Sequence, residues 1–344
     1  MRTPWKAAAT LAATLLLVLP GGVAARAAST PYTKSPVAGP LGTYHVSAVY
    51  VAGVSSGGYL ATQLQVAYSA RIRGAAIFAA GPYYCAQNTV AQALYGCGDN
   101  LYPTYLPALE SYTRSWASYG WVDGTGNLAG QPVYVYHGGS DGTVKKSVTD
   151  DLVRYYQDFG ASVRYDSTGA AGHAWVTPYG TVGCTATASP FLNDCGTDPQ
   201  GAFLGRLLGG VAAPNTGPLG GTLIRFGQDA FATNGWANGL SMDASGFAYV
   251  PSACAAGDSC RLLVALHGCA QGYAKVGTAF VDRANLNQYA DTNRLIVLYP
   301  QAVATGVNPN GCWDWWGYLG ATNYPIKGGY QVETIMNMVR RLDG

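Results

Sequence analysis

A chain of 344 residues, 49% hydrophobic but only 11% charged, holds enough apolar material for one large α/β domain or two small ones. Its 20 basic and 18 acidic side chains form no basic run of the kind that binds nucleic acid, and no long apolar segment after the first twenty residues suggests a membrane anchor. Abundant tyrosine (25) and glycine (46) suit an exported protein with an uncharged, aromatic-rich surface.

Residues 1–27 read as a signal peptide. Arg2 and Lys6 supply a positive start, Ala7 to Val18 an apolar stretch too short to span a bilayer, and Ala25-Arg26-Ala27 a small-x-small cleavage site. Cleavage there leaves 17 basic and 18 acidic residues in 28–344. The stretch AVYVAGVSSGG (48–58) is a β-branched strand running into two serines boxed by glycines. Leu60, Leu64 and Ala67 then recur at helical spacing. AAIFAAG (75–81) reads as a buried strand, ALESYTRSWASYG (108–120) as a helix, and PVYVYHGGSDGTV (132–144) as a strand entering a polar turn. SVTDDLVRYYQDFG (147–160) is a helix stopped by Gly160, SVRYDSTGAAGHAW (162–175) a strand and glycine-rich loop, and PQGAFLGRLLGG (199–210) a short helix. VAAPNTGPLGGT (211–222) is the best linker candidate.

Beyond it, TLIRFGQDAFA and GFAYVPSAC read as hairpin-like strands. RLLVALHGC is a buried strand ending in a glycine turn, FVDRANLNQYADTN (280–293) a helix, RLIVLYP another buried strand, and GYQVETIMNMVRRL a closing helix. Apolar strands alternating with helices predict a mostly parallel sheet covered on both faces. Eight cysteines in an exported chain predict four disulfides. Spacing suggests Cys85–Cys97, Cys184–Cys195 and Cys254–Cys260 as local loops, leaving Cys269–Cys312, although spacing alone does not fix connectivity. With no C-x-x-C, no H-E-x-x-H and four histidines, no metal or other cofactor is expected.

Strand, G-x-S-x-G, helix is the pattern of a nucleophile elbow. Gly53 and Gly57 centre it on Ser55 in preference to Ser56, which has a glycine on one side only. The strained turn pushes the serine Oγ clear of the backbone, and the next amide lies at a helix N-terminus, where it can stabilise negative charge. The alternative is a Gly-Ser turn without chemical meaning. A serine nucleophile needs a base, and the candidates are His45, His137, His173 and His267. His45 begins the elbow strand, a strand's length from Ser55. His137 shares a turn with Asp141 and more plausibly shapes it. His173 follows a late strand in a glycine-flexible loop, 32 residues after Asp141. The order Ser55, Asp141, His173 is that of the α/β-hydrolase fold. Asp150, Asp151 and Asp166 lie in a helix or on a strand and are weaker choices for the acid.

That fold carries an HG oxyanion loop before its nucleophile. Here the HG of LLVALHGCAQG comes 212 residues after Ser55, at His267. Circular permutation explains the displacement, with 211–222 joining what would have been the two termini; the move is cheap because domain termini often lie close together. The backbone amides of Ser56 and Cys269 then form the oxyanion hole. A plain strand-end turn is the competing reading of HGC.

GVSSGGYLATQLQVAYSARIRGAAIFAAGPYYCA, GHAWVTPYG with PFLNDCG, and LLVALHGCAQG with NPNGCWDWWGY resemble the secreted single-domain, circularly permuted poly(3-hydroxybutyrate) depolymerases, over nearly the whole chain after residue 27 and in that family's order. The resemblance implies one catalytic α/β-hydrolase domain at 28–344, the triad Ser55, Asp141 and His173, and the Ser56 and Cys269 amides as oxyanion donors. It implies an extracellular monomer acting through an acyl-enzyme on a solid polyester, with no nucleic-acid or membrane partner. Many bacterial relatives append a polymer-binding domain; the chain stops at Gly344, so none is expected. Trp313, Trp315, Trp316 and Tyr318, in one loop that a Cys269–Cys312 bridge would pin beside the oxyanion strand, are expected to wall the crevice, where an indole N–H could donate to an ester carbonyl; the alternative is that two of the tryptophans belong to the core. Two other functions compete: a feruloyl or acetyl-xylan type esterase, whose usual unpermuted order argues against it, and a non-catalytic polymer-binding protein, which has no need of a triad.

Overall fold

The computed structural model describes Met1 and residues 30–344, so the signal-peptide reading of residues 1–27 falls almost wholly outside the described residues. In chain order the strands are β1 (Val37–Ala38), β2 (Val46–Val54), β3 (Ile72–Phe78), β4 (Pro132–Tyr136), β5 (Ser162–Asp166), β6 (Trp175–Val176), β7 (Val182–Gly183), β8 (Leu192–Asp194), β9 (Thr222–Gly227), β10 (Ser245–Val250), β11 (Cys260–Leu266) and β12 (Leu295–Tyr299). The helices are α1 (Ser56–Ala67), α2 (Leu106–Ser118), α3 (Lys146–Asp158), α4 (Pro199–Leu208), α5 (Ser252–Ala255), α6 (Tyr273–Val276), α7 (Ala279–Arg283), α8 (Leu286–Asn293) and α9 (Tyr330–Asp343).

Nine strands form one sheet in the order β1-β9-β10-β12-β11-β2-β3-β4-β5. β10 runs antiparallel to both neighbours, and every other adjacent pair is parallel. The elbow strand β2 lies between β11 and β3, so strands from the far end of the chain complete the sheet on one side of it and strands that follow Ser55 complete the other. Side chains alternate along β2. Val49 and Val51 enter a core with α1, α3 and α9, while Ala52 and Val54 enter a second core with α4, α7 and α8. A sheet buried on both faces explains why its strands read as continuous apolar runs and not as alternating ones.

All eight cysteines are paired, as Cys85–Cys97, Cys184–Cys195, Cys254–Cys260 and Cys269–Cys312, in agreement with the spacing. The expected helix over 280–293 is broken in two. Asn285 takes a left-handed conformation (φ 60°) between α7 and α8, and its side chain donates to Asp198 Oδ1 at 3.1 Å. Asparagine tolerates that conformation, and the bond to the N-cap of α4 sets the break, a tertiary cause with no signature in the helical spacing. Among the described residues no helix is long and apolar enough to cross a membrane.

Candidate active site

The C-terminal ends of β11, β2, β3, β4 and β5 are in register, with Leu266 beside Gly53, Val54 beside Phe78, Phe78 beside Tyr136, and Tyr136 beside Asp166. The loops leaving these strands meet at one sheet edge, where parallel α/β sheets hold their ligands. Ser55 follows β2 directly, with φ 57° and ψ −126°. Few non-glycine residues occupy that region, and such strain concentrates at functional positions. Its amide donates to Phe78 C=O at 2.9 Å and its carbonyl accepts from Tyr59 N–H at 3.0 Å, which holds the turn between β3 and the first turn of α1. The flanking glycines are required by space. A Cβ on Gly53 would collide with the Gly57 carbonyl, and one on Gly57 with the carbonyls of Leu266 and His267.

The two serines part here. Ser55 is half-buried and lines a cavity of about 650 Å³, whereas the Ser56 hydroxyl is buried away from it without a hydrogen-bond partner. As the first residue of α1, Ser56 presents one of the amides that a helix leaves without an internal acceptor.

Asp141 and His173, on loops after β4 and β5, come together because those loops bond to each other. Gly139 N–H reaches Gly169 C=O at 2.7 Å and Ser140 N–H reaches Ala171 C=O at 3.0 Å. Both side chains are buried, and His173 Nδ1 lies 2.8 Å from Asp141 Oδ2. Burial pushes the Asp141 carboxyl upward. The hydrogen bond and charge of His173, with the amides of Val144 (3.0 Å) and Thr143 (2.8 Å), outweigh burial and hold it below the usual carboxylate range. The His173 amide donates to Thr187 Oγ1 at 2.9 Å, fixing His173 to the loop ahead of β8. His173 and Ser55 line the same cavity.

The other histidines lie elsewhere. His45 is exposed on the elbow strand's approach. His137 is buried, with Nε2 2.9 Å from Val144 C=O, and shapes the turn that holds Asp141. His267 is buried and pushed down to about 4 by desolvation, so its ring is neutral.

Gly268 brings the loop after β11 against the elbow; a Cβ there would sit 3.3 Å from Ser55 Cβ. Cys269 lines the cavity beside Ser55, and among the described residues its amide N–H has no acceptor. Trp315 and Trp316 line the same cavity, with Trp315 stacked on Tyr59 (centroids 3.9 Å apart, planes 10° apart). Trp313 and Tyr318, expected in that wall, do not reach it. Trp313 is fully buried and donates its indole N–H to His267 C=O at 2.9 Å. The Tyr318 hydroxyl is turned inward, 2.9 Å from Cys312 C=O and 3.0 Å from Asn308 Nδ2. Two aromatic groups thus anchor the loop and two line the cavity.

Several site residues escaped the sequence reading. Tyr59 lies in plain helical spacing. Phe191 joins the cavity from a distant loop. Gln271 stands three residues after Gly268 in HGCAQG, a spacing that permits a side chain to bond back to a turn, and this was the available signal. Among the described residues no group of His, Cys, Asp or Glu side chains is placed to hold a metal ion.

This sheet order, with a strained serine after its central strand, defines an α/β-hydrolase. No protein-family model matches the chain. Among curated proteins it is 42% identical over 301 residues to a poly(3-hydroxybutyrate) depolymerase of Delftia acidovorans, covering 85% of this chain and 59% of that protein. It is 38% identical over 315 residues to a polyhydroxybutyrate depolymerase of Talaromyces funiculosus, covering 86% and 89%. The chain therefore spans about three-fifths of the bacterial relative and most of the fungal one. Among solved structures, the PHB depolymerase from Penicillium funiculosum superposes with TM-score 0.80 at 35% identity, over 89% of this chain and 99% of that one. A serine-to-alanine variant of PHB depolymerase complexed with R3HB trimer gives 0.81 at 34%, with the same coverage. The chain belongs to the poly(3-hydroxybutyrate) depolymerase family.

Proposed function

We propose that the protein hydrolyses the ester bonds of poly(3-hydroxybutyrate), with Ser55 as nucleophile, His173 as general base and acid, Asp141 as its orienting carboxylate, and the Ser56 and Cys269 amides as oxyanion hole. His173 takes the Ser55 proton as Oγ attacks the ester carbonyl, and the oxyanion forms between the two amides. The proton passes from His173 to the departing alkoxide, which leaves as a hydroxy-terminated fragment. Water then gives a proton to His173 and attacks the acyl-enzyme, and Ser55 recovers its proton as the 3-hydroxybutyryl acid is released. Trp315 and Trp316 form an apolar wall suited to an uncharged, methyl-bearing chain. Exposed Leu94, Leu101, Tyr102 and Tyr105, on and beyond the cavity-lining segment 90–99, support contact with solid polyester.

The same reading makes 1–27 an export signal and 28–344 one catalytic domain with its permutation joint near 211–222. Four disulfides suit release to an oxidising, extracellular compartment, where the enzyme acts as a monomer. One observation carries the functional reading: a strained Ser55 shares a cavity with the His173–Asp141 pair and an amide without an acceptor. The test compares clearing of an opaque poly(3-hydroxybutyrate) film with release of ferulate from feruloylated xylan. Clearing with release of 3-hydroxybutyrate oligomers is expected; ferulate release with an intact film overturns the substrate assignment.

A further inference from the structure

Gln271 lies two residues past Cys269 and is 1% exposed. Its amide works in two directions. Oε1 accepts the Gly268 N–H at 2.8 Å, and Nε2 donates to the carbonyls of Phe191 at 2.9 Å and Pro190 at 3.1 Å. The partners fix the orientation of the side chain, because the flipped amide would set N–H against N–H and oxygen against oxygen. Phe191 C=O also accepts the Trp175 N–H at 3.0 Å, two residues beyond His173. Gln271 therefore bonds the loop that carries one oxyanion donor to a segment bonded to the loop that carries the base.

The far side of Gly268 is tied as well. Its carbonyl lies 2.7 Å from His267 Nδ1, whose ring is oriented by the Ala302 N–H on Nε2 at 3.0 Å. Both peptides flanking Gly268 are thus held by buried side chains. The second of them contains the Cys269 N–H, which points away from its bonded carbonyl. Glutamine is the side chain with both the acceptor and the donors this bridge uses; glutamate lacks the donor when ionised, and methionine lacks the donor and offers only a weak sulfur acceptor.

We propose that Gln271 is a positioning residue of the hydrolytic site, coupling the Cys269 oxyanion donor to the His173 loop. The inference rests on the roles given to Ser55 and Cys269 under Proposed function. A donor displaced by about 1 Å loses most of its effect on a developing oxyanion, since such stabilisation depends on preorganised geometry. The loss therefore belongs in kcat and not in substrate binding.

The test measures kcat and KM of Gln271→Met on a soluble 3-hydroxybutyrate trimer, per active site counted by labelling with a fluorophosphonate. Complete labelling of Ser55, kcat lower by about 10- to 100-fold, and KM within about threefold are expected. A kcat per labelled site within twofold of wild type, or a loss confined to KM, overturns the proposal. Gln271→Glu decides the matter should the methionine variant not fold. Protonation returns a donor toward Phe191 C=O, so its kcat relative to wild type should rise as pH is lowered; a ratio independent of pH overturns coupling through that bond. Wild-type protein that takes no label at Ser55 fails the nucleophile assignment instead, which separates the two failures.

Discussion

The elbow at Ser55 and the loop at Cys269 line one cavity but are held by different means. The elbow is a backbone device. Its glycines admit close approach of neighbouring carbonyls, its strain lies in one residue, and its hydrogen bonds join main-chain groups. The Cys269 loop is a side-chain device, held by His267, Gln271 and the Cys269–Cys312 disulfide, whose long-range partners lie 35 to 81 residues away in sequence. The elbow should therefore tolerate no added atom and be indifferent to redox state. The Cys269 loop should tolerate graded damage, each loss lowering activity before it unfolds the protein.

The sharpest way to break this comparison is at the serines. Ser55→Ala should remove ester hydrolysis by at least about 10⁴-fold, while Ser56→Ala, which deletes a buried hydroxyl without a partner and keeps the amide, should stay within about tenfold of wild type. Rates on a soluble ester for the two folded variants check this, and the opposite result moves the nucleophile to Ser56. Next comes Gly57→Ala. Its methyl meets the carbonyls of Leu266 and His267, so the first turn of α1 and the end of β11 must part, and a loss of more than about 4 kcal/mol or failure to fold is expected. Gly126→Ala, in open space at the surface, serves as the comparison and should change denaturant stability by less than about 1 kcal/mol.

Cys312→Ser probes the Cys269 side. The bridge closes 43 residues, so chain entropy sets its contribution to stability at about 4 kcal/mol before strain. Turnover on the polyester should fall several-fold at temperatures where the variant is folded, and turnover on short soluble esters, which use less of the Trp315–Trp316 wall, should fall less. Equal losses on both substrates would show that the disulfide serves the amide alone.

A last effect, on stability and not on turnover, concerns Asp314, buried at the root of the tryptophan loop. Burial raises its carboxyl to about 6, against the opposing pull of the Gly317, Tyr318, Leu319 and Trp316 amides. A raised carboxyl binds more protons in the folded than in the unfolded protein between its two pKa values. Stability attributable to Asp314 should thus be greatest below about pH 4 and diminish as pH rises to about 6, by roughly 2–3 kcal/mol. Asp314→Asn should remove that slope. Urea unfolding of both proteins at several pH values measures it, and an unchanged slope would assign it to another group.

Local signals settled the elbow. Two glycines at fixed offsets, a β-branched strand before them and helical spacing after them specify a backbone geometry that few residues can adopt, so the strained turn at Ser55 was legible without any tertiary information. The chain order of Asp141 and His173 was legible for a related reason, since each follows a strand in a glycine-rich loop at a single sheet edge. Disulfide partners matched their spacing because three of the four loops are short. What the sequence could not decide was orientation within irregular segments. Trp313, Trp315, Trp316 and Tyr318 stand in a loop without helical or strand periodicity, so which rings turn inward depends on His267, Cys312 and Asn308, all placed by the fold. Gln271 likewise looks like one polar residue in a turn until β11 brings it beside the loop before β8. A backbone conformation can be written locally, because steric exclusion acts between neighbours in sequence. A buried hydrogen bond between distant loops needs the sheet to assemble first, and only the tertiary structure decided which side chains would meet.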